Sequence, residues 1–462
     1  MALKKSLIVI LLSATSAAII FFLGTGVVSK ENVVTVDGSI KYQEIEGFGG
    51  SGAYYESSVM LLKEPSRTKV LDLLFSDLGI SIYRLRVWTD VERVNDDADP
   101  NNFNWDAFHF SIASDRQIWN AQQAKERGVT KFMASVWSPP RWMKNTGEEK
   151  GGGYLLPEMY EEFAEFLAAY IIGYKNRFGI DIGWISLQNE PDFSTDKWET
   201  CTYTPEQLRD LIKIVGAKFR AEGLSTKIMV PEAAGCSGAV RYIPLIMYDA
   251  EAAQYVEVFA HHLYDVSFFN PDEETIQMET IAGYGAQFKR PVWQTEYSCS
   301  EDANIGTFKE ALATAHHIHN VLTVENASAY FVWGLFWYMK GGLISVNPSD
   351  NSYRVNPTFY AVKQYSGFIT PGSRRIYAAS NIQKILVSAY LNEADNHVTI
   401  IIINESQDTI NMKINLKNVS PLLFKQYRTS KSENCAYIGD ITVSNNLLDV
   451  AVPPESITTL FG

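Results

Sequence analysis

The chain has 462 residues, 46% of them hydrophobic and 20% charged, a balance that excludes wholesale disorder, a collagen-like fibre and a polytopic membrane protein. Lys plus Arg number 40 against 53 Asp plus Glu, a net charge of -13, and no basic cluster could neutralise a phosphate backbone, which argues against nucleic acid as a partner. Aromatic residues reach 13%; such rings suit sugar ligands, but they also fill any large core.

Lys4 and Lys5 precede an apolar run from Leu7 to Leu23, followed by Gly24, Thr25 and Gly26, in the order of a secretory signal. The run also approaches the ~18–20 residues that span a bilayer, and no clean Ala-x-Ala site follows it. Residues 1–29 are therefore read as a signal peptide or an uncleaved N-terminal anchor, with export expected either way. Asn32–Tyr42 has a strand–turn–strand texture, and residues 30–44 are expected to lend strands to a side domain.

Eight strands then alternate with helical segments. The strands are expected at Ile45–Gly52, Ile80–Trp88, Lys131–Ser138, Gly183–Glu190, Lys227–Glu232, Val256–Tyr264, Val292–Glu296 and Ala329–Trp337. Helical patterns between them include Pro157–Phe178, Pro205–Glu222 with Thr204 as N-cap, and Thr307–Glu325. Eight strands each followed by a helix describe a (β/α)8 TIM barrel, an α/β fold, over residues 45–365. From Arg374 onward, runs at Lys384–Tyr390, His397–Ile403, Thr409–Leu416 and Ile441–Val443 are separated by turn residues, with almost no helical period. Residues 366–462 thus read as a β-sandwich, built together with the N-terminal strands from both chain termini. Cys201, Cys236, Cys299 and Cys435 lack zinc-type spacing; a Cys201–Cys236 disulfide and four free thiols are both open.

The fourth expected strand ends in Asn189-Glu190-Pro191, and the seventh ends in Glu296. Three βα repeats of about 35 residues separate them, so both carboxylates should project over one cleft at the barrel's C-terminal face. Two facing carboxyl groups are the minimum machinery of glycoside hydrolysis. Trp88, Trp137, Trp142 and Trp337 lie on or just past strand ends and are candidate sugar platforms; Trp293 and Trp333 are similarly placed, and part of this aromatic set must be core. The pairs His261-His262 and His316-His317, with His319, invite a metal reading. It is declined, because no third ligand is evident and this chemistry needs no metal or other cofactor; each reads instead as a surface or core histidine.

The chain resembles glycoside hydrolase family 30 over essentially all of its length past the signal. The resemblance is carried by EGFGGSG at Glu46–Gly52, YRLRVW at Tyr83–Trp88, WSPPRWMK at Trp137–Lys144, GGGYL at Gly151–Leu155, SLQNEPDF at Ser186–Phe193 and WQTEY at Trp293–Tyr297. It implies a (β/α)8 barrel with a two-ended β-sandwich and a retaining mechanism, Glu190 being general acid/base and Glu296 nucleophile. Asn189 looks like the residue that hydrogen-bonds the sugar 2-hydroxyl. Arg84 resembles the second-strand arginine beside the nucleophile, and Tyr264 the sixth-strand tyrosine that holds its carboxylate. Pro191–Ile212 looks like the xylanase branch, but the WYxRR segment usual after that branch's eighth strand reads Trp337-Tyr338-Met339-Lys340-Gly341-Gly342 here. The expected function is a secreted, monomeric endo-β-1,4-xylanase without strict glucuronic acid dependence, meeting a membrane only through its N-terminal segment. A β-glucosidase, glucosylceramidase or endo-β-1,6-glucanase is the rival enzyme, and an inactive sugar-binding barrel the rival of another class.

Overall fold

The computed structural model describes residues 31–462 apart from positions 98 and 114. The expected signal or anchor, residues 1–29, lies outside the described residues. Strand β1 (Val33–Glu44) comes first. The barrel strands are β2 (Gly47–Ser51), β3 (Ile82–Arg86), β4 (Lys131–Ser135), β5 (Ile182–Ser186), β6 (Lys227–Ala233), β7 (Val256–His262), β8 (Val292–Glu296) and β9 (Ala329–Trp333). All are parallel, and β9 pairs with β2 to close the barrel. The fold is the TIM barrel its strand and helix periods called for. Ile82, Met133, Met229, Val258, Trp293 and Phe331 fill the interior, so Trp293 belongs to the core and not to the cleft. The glycines of the first strand answer that crowding: a Cβ on Gly49 would stand 2.4 Å from the Phe331 ring.

Helix signals were accurate where a cap was written in the sequence. Thr204 and Gln207 form a reciprocal capping box on the helix Pro205–Ala221, and Thr307 caps Phe308–Thr323, each satisfying amide groups that the first turn leaves unpaired. Among the described residues no helix is long and apolar enough to cross a membrane.

Six of the eight barrel strands are shorter than expected; β2 spans only Gly47–Ser51 and β7 stops at His262. β3 stops at Arg86, β4 at Ser135 and β5 at Ser186, where the ladder to the next barrel strand ends. The expected strand Ala329–Trp337 is two elements. After β9 the chain turns at Gly334, and Leu335 donates its N–H to the Ser51 carbonyl at 2.8 Å. It resumes as β10 (Phe336–Tyr338), which joins β11 (Ile344–Asn347) and β12 (Ser352–Val355) in a small sheet. Trp337 therefore sits on this sheet, not on a barrel strand.

The remaining strands are β13 (Arg374–Ser380), β14 (Ile385–Asn392), β15 (His397–Asn404), β16 (Ile410–Lys417), β17 (Leu423–Ser430), β18 (Glu433–Thr442), β19 (Leu447–Val452) and β20 (Ser456–Phe461). They form one ladder in the order β18-β17-β20-β15-β14-β13-β1-β16-β19. β1 is held by β13 on one side and β16 on the other. β15 shows how this layer meets the barrel: Ile400 and Ile402 enter the sandwich's own core, whereas Ile401 and Ile403 join the barrel-side core, as a period of two dictates. All four cysteines are free thiols.

Candidate active site

The cleft is built at the C-terminal ends of the barrel strands. Glu190 lies four positions beyond β5 in a left-handed backbone conformation, φ 51°, and its N–H donates to the Glu232 carbonyl at 2.9 Å. That conformation is disfavoured for a residue with a Cβ, and the bond to the neighbouring strand over-determines it. Glu296 is the last residue of β8. Both side chains are largely buried, each residue 6% exposed. A carboxylate oxygen of Glu190, one of Glu296 and a ring nitrogen of His262 all lie within 4.8 Å of one another.

Arg84, on β3 and fully buried, organises the floor. It donates to Glu296 Oε2, to Asn189 Oδ1 at 2.6 Å, to Glu232 Oε1 at 3.0 Å and to Ser135 Oγ at 3.2 Å. Burial by itself would lower the guanidinium's pKa, but Glu232 and Glu296 more than reverse this. Tyr264 donates its hydroxyl to the other Glu296 oxygen at 2.9 Å. The Glu296 carboxylate is therefore held from both sides.

Two members of the cluster were not anticipated. Glu232, on β6, is fully buried; desolvation would raise its carboxyl, but Arg84, helped by His262 and Ser186, holds it below the usual range. His262, read from sequence as a surface or core histidine, places Nδ1 2.9 Å from Glu190 Oε1 and Nε2 3.9 Å from both Glu232 and Glu296. Burial opposes its charge, yet Glu296, Glu190 and Glu232 push it up to about 9, so at neutral pH an imidazolium stands among these three acidic residues. Glu232 had a signal, since Pro231-Glu232 also closes a strand. His262 had none beyond its residue type.

The aromatic candidates divide. Trp137 lies under Arg84, 4.6 Å from guanidinium carbon to ring centre, and packs at 5.8 Å on Trp333. Tyr54 stands edge-on to both indoles, which makes a three-ring wall beside the carboxylates. Trp88 instead stacks on Arg86 at 4.4 Å. Trp142 donates its indole N–H to the Glu92 carbonyl at 3.2 Å and packs on the core. Trp337 packs on Tyr55 and lines, with Trp333, Lys340 and Gly341, a pocket of about 210 Å³.

Glu190, His262 and Glu296 are close enough to share a metal ion, but Arg84 and Tyr264 already engage both Glu296 oxygens, and Arg84 and His262 supply the positive charge. His261 is paired with Glu325 at 2.5 Å, and His316 lies between Asp272 and Glu405. These histidines are ion-pair partners of a buried acid, Glu325, a half-buried one, Glu405, and an exposed one, Asp272.

A barrel whose fourth and seventh strands deliver carboxylates to one aromatic-walled cleft is the architecture of a glycoside hydrolase. The profile of O-glycosyl hydrolase family 30 matches residues 98–339, and that of the glycosyl hydrolase family 30 beta sandwich domain matches residues 372–460. The chain belongs to glycoside hydrolase family 30, and it is an enzyme acting on a glycan. It is 27% identical over 466 residues to glucuronoxylanase XynC of Bacillus subtilis, covering 99% of this chain and 98% of that one. It is also 27% identical over 402 residues to putative glucosylceramidase 2 of Caenorhabditis elegans, covering 79% and 76%. Among solved structures, a GH30 endoxylanase from Clostridium papyrosolvens superposes with a TM-score of 0.75 at 27% identity, over 93% of this chain and 99% of that one.

Proposed function

We propose that the chain is a retaining endo-β-glycosidase of xylan, exported from the cell, in which Glu296 is the nucleophile and Glu190 the general acid/base. The observation that carries the mechanism is the approach of the two carboxylates to within 4.8 Å. Retaining enzymes hold the pair at ~5–5.5 Å, whereas inverting enzymes need ~6.5–9.5 Å to admit a water between carboxylate and sugar. Arg84 and Tyr264 aim Glu296 at the anomeric carbon. As the glycosidic bond breaks, Glu190 gives its proton to the leaving oxygen, and the His262 imidazolium 2.9 Å away offsets the carboxylate that results. In the second half-reaction Glu190 takes a proton from the attacking water. Asn189, oriented by Arg84, supplies a side-chain amide for the sugar 2-hydroxyl, and the Trp137–Trp333–Tyr54 wall offers faces for the sugar ring.

The xylan-acting relatives, which align over nearly the whole chain, support the substrate class. The glucosylceramidase relative at equal identity keeps a glucoside reading alongside it. A single experiment separates them: cells expressing the full chain are fractionated, and medium and cells are assayed on xylan, glucuronoxylan, β-1,6-glucan and glucosylceramide. Activity in the medium releasing xylo-oligosaccharides of mixed length is expected. Activity confined to glucosides would contradict the xylan reading, and activity held only in membranes would contradict release.

Lys340 bears on the side group. Its ammonium donates to the Asp302 carbonyl at 2.6 Å, and an ammonium lacks the planar fork that matches a carboxylate. The kcat/KM on glucuronoxylan should exceed that on linear β-1,4-xylan by less than roughly tenfold, with Lys340→Ala changing the ratio little. A preference of about a hundredfold or more would contradict this and turn attention to Arg354, which lines the same shallow pocket as Lys340.

A further inference from the structure

Outside the cleft, four carboxylates converge from two elements. Glu92 and Asp96 come from the loop that follows β3, and Glu162 and Glu165 lie one turn apart on the helix Tyr160–Phe178. Oxygens of Asp96, Glu162 and Glu165 lie within 4.8 Å of one another. Glu165 is fully buried, Glu92 is 1% exposed and Glu162 9%. Both Glu165 oxygens, one of Glu162 and one of Glu92 have no hydrogen-bond partner. Buried carboxylates are ordinarily paired or bound to a metal. Lys218, whose charge reaches Glu165, is already committed to the Pro100 carbonyl at 3.0 Å and to Glu222 at 3.0 Å.

The donor set selects the ligand. It is all carboxylate oxygen, without the histidine or cysteine that zinc prefers. Two oxygens on one calcium ion, each at ~2.4 Å, are at most about 4.8 Å apart, and calcium tolerates the irregular geometry of a loop meeting a helix; magnesium demands a tighter octahedron and keeps its waters. We propose that Asp96, Glu162 and Glu165, with Glu92 beside them, bind one calcium ion that fastens the loop after the second barrel strand to the helix after the third. The loop is worth fastening, because it leaves the cleft directly after Trp88 and its Glu92 carbonyl seats the Trp142 indole.

The full chain, stripped with EDTA and titrated with calcium chloride at pH 7, should take up one ion with a Kd below about 1 mM. At 5 mM calcium its Tm should rise by about 2–6 °C, and equimolar magnesium should give less than half that shift. Glu165→Gln should abolish uptake. Because a fully buried substitution can disturb folding, Asp96→Asn, on the loop, is tested in parallel and should abolish uptake in a chain whose circular dichroism is unchanged. Glu296→Gln should keep uptake, which separates this site from the catalytic cleft. No calcium uptake by folded wild type at 5 mM, uptake retained by folded Asp96→Asn, or magnesium bound as tightly as calcium would each overturn the proposal.

Discussion

Glu296→Ala is expected to lower kcat/KM on xylan by about 10⁴-fold or more, because it removes the proposed nucleophile of the covalent glycosyl intermediate. Azide fits the space the carboxylate leaves and can attack the anomeric carbon from the same face, so added azide should restore turnover and yield an α-glycosyl azide. Glu190→Ala should behave differently. It loses proton donation, worth about 10²–10⁴-fold on poor leaving groups, but should largely spare the first step with activated aryl glycosides, which need little protonation. Equal losses on both substrate types would remove Glu190 from the acid role.

Arg84→Met is the second large expected effect. The guanidinium is buried at 1% exposure and is the shared donor to Glu296, Glu232 and Asn189, so methionine fills the volume but leaves two buried carboxylates without their cation. Breaking a buried ion pair from one side costs about 3–5 kcal/mol, which in a chain of this size should lower Tm by about 3–8 °C. Activity should fall at least about a hundredfold, since Glu296 loses one of its two donors. Arg84→Lys separates charge from geometry. It should recover much of the stability and little of kcat, because one ammonium cannot reach the four groups that the planar fork serves. Full recovery of kcat by lysine would show that charge alone suffices.

What could be read from the sequence was local and periodic. The segments that run up to Glu190 and Glu296 each combine an apolar strand with a carboxylate at or just past its end, and their spacing in βα repeats brings the two together without any knowledge of side-chain contacts. Glu232 carried the same sign, but no spacing rule distinguishes a catalytic from a supporting carboxylate on the intervening strand. His262 was illegible for a different reason: its role arises from three acids delivered by three other strands, and a histidine in an apolar strand end is equally compatible with a core. The Ala329–Trp337 run read as one strand because its aromatic and β-branched residues favour extended backbone throughout, and only the approach of Gly334 to Ser51 reveals the turn. The Asp96, Glu162 and Glu165 cluster joins a loop to a helix that a further barrel strand separates in sequence, a juxtaposition that becomes visible only in the folded barrel.

In the proposed double displacement, Glu190 and Glu296 act from opposite sides of one glycosidic bond. Proton NMR of the first turnovers on a β-linked xylo-oligosaccharide tests it directly, because two inversions at the anomeric carbon restore the starting configuration. The β-anomer of the new reducing end should appear first, with the α-anomer growing only at the rate of mutarotation; an α-anomer formed first would contradict the mechanism.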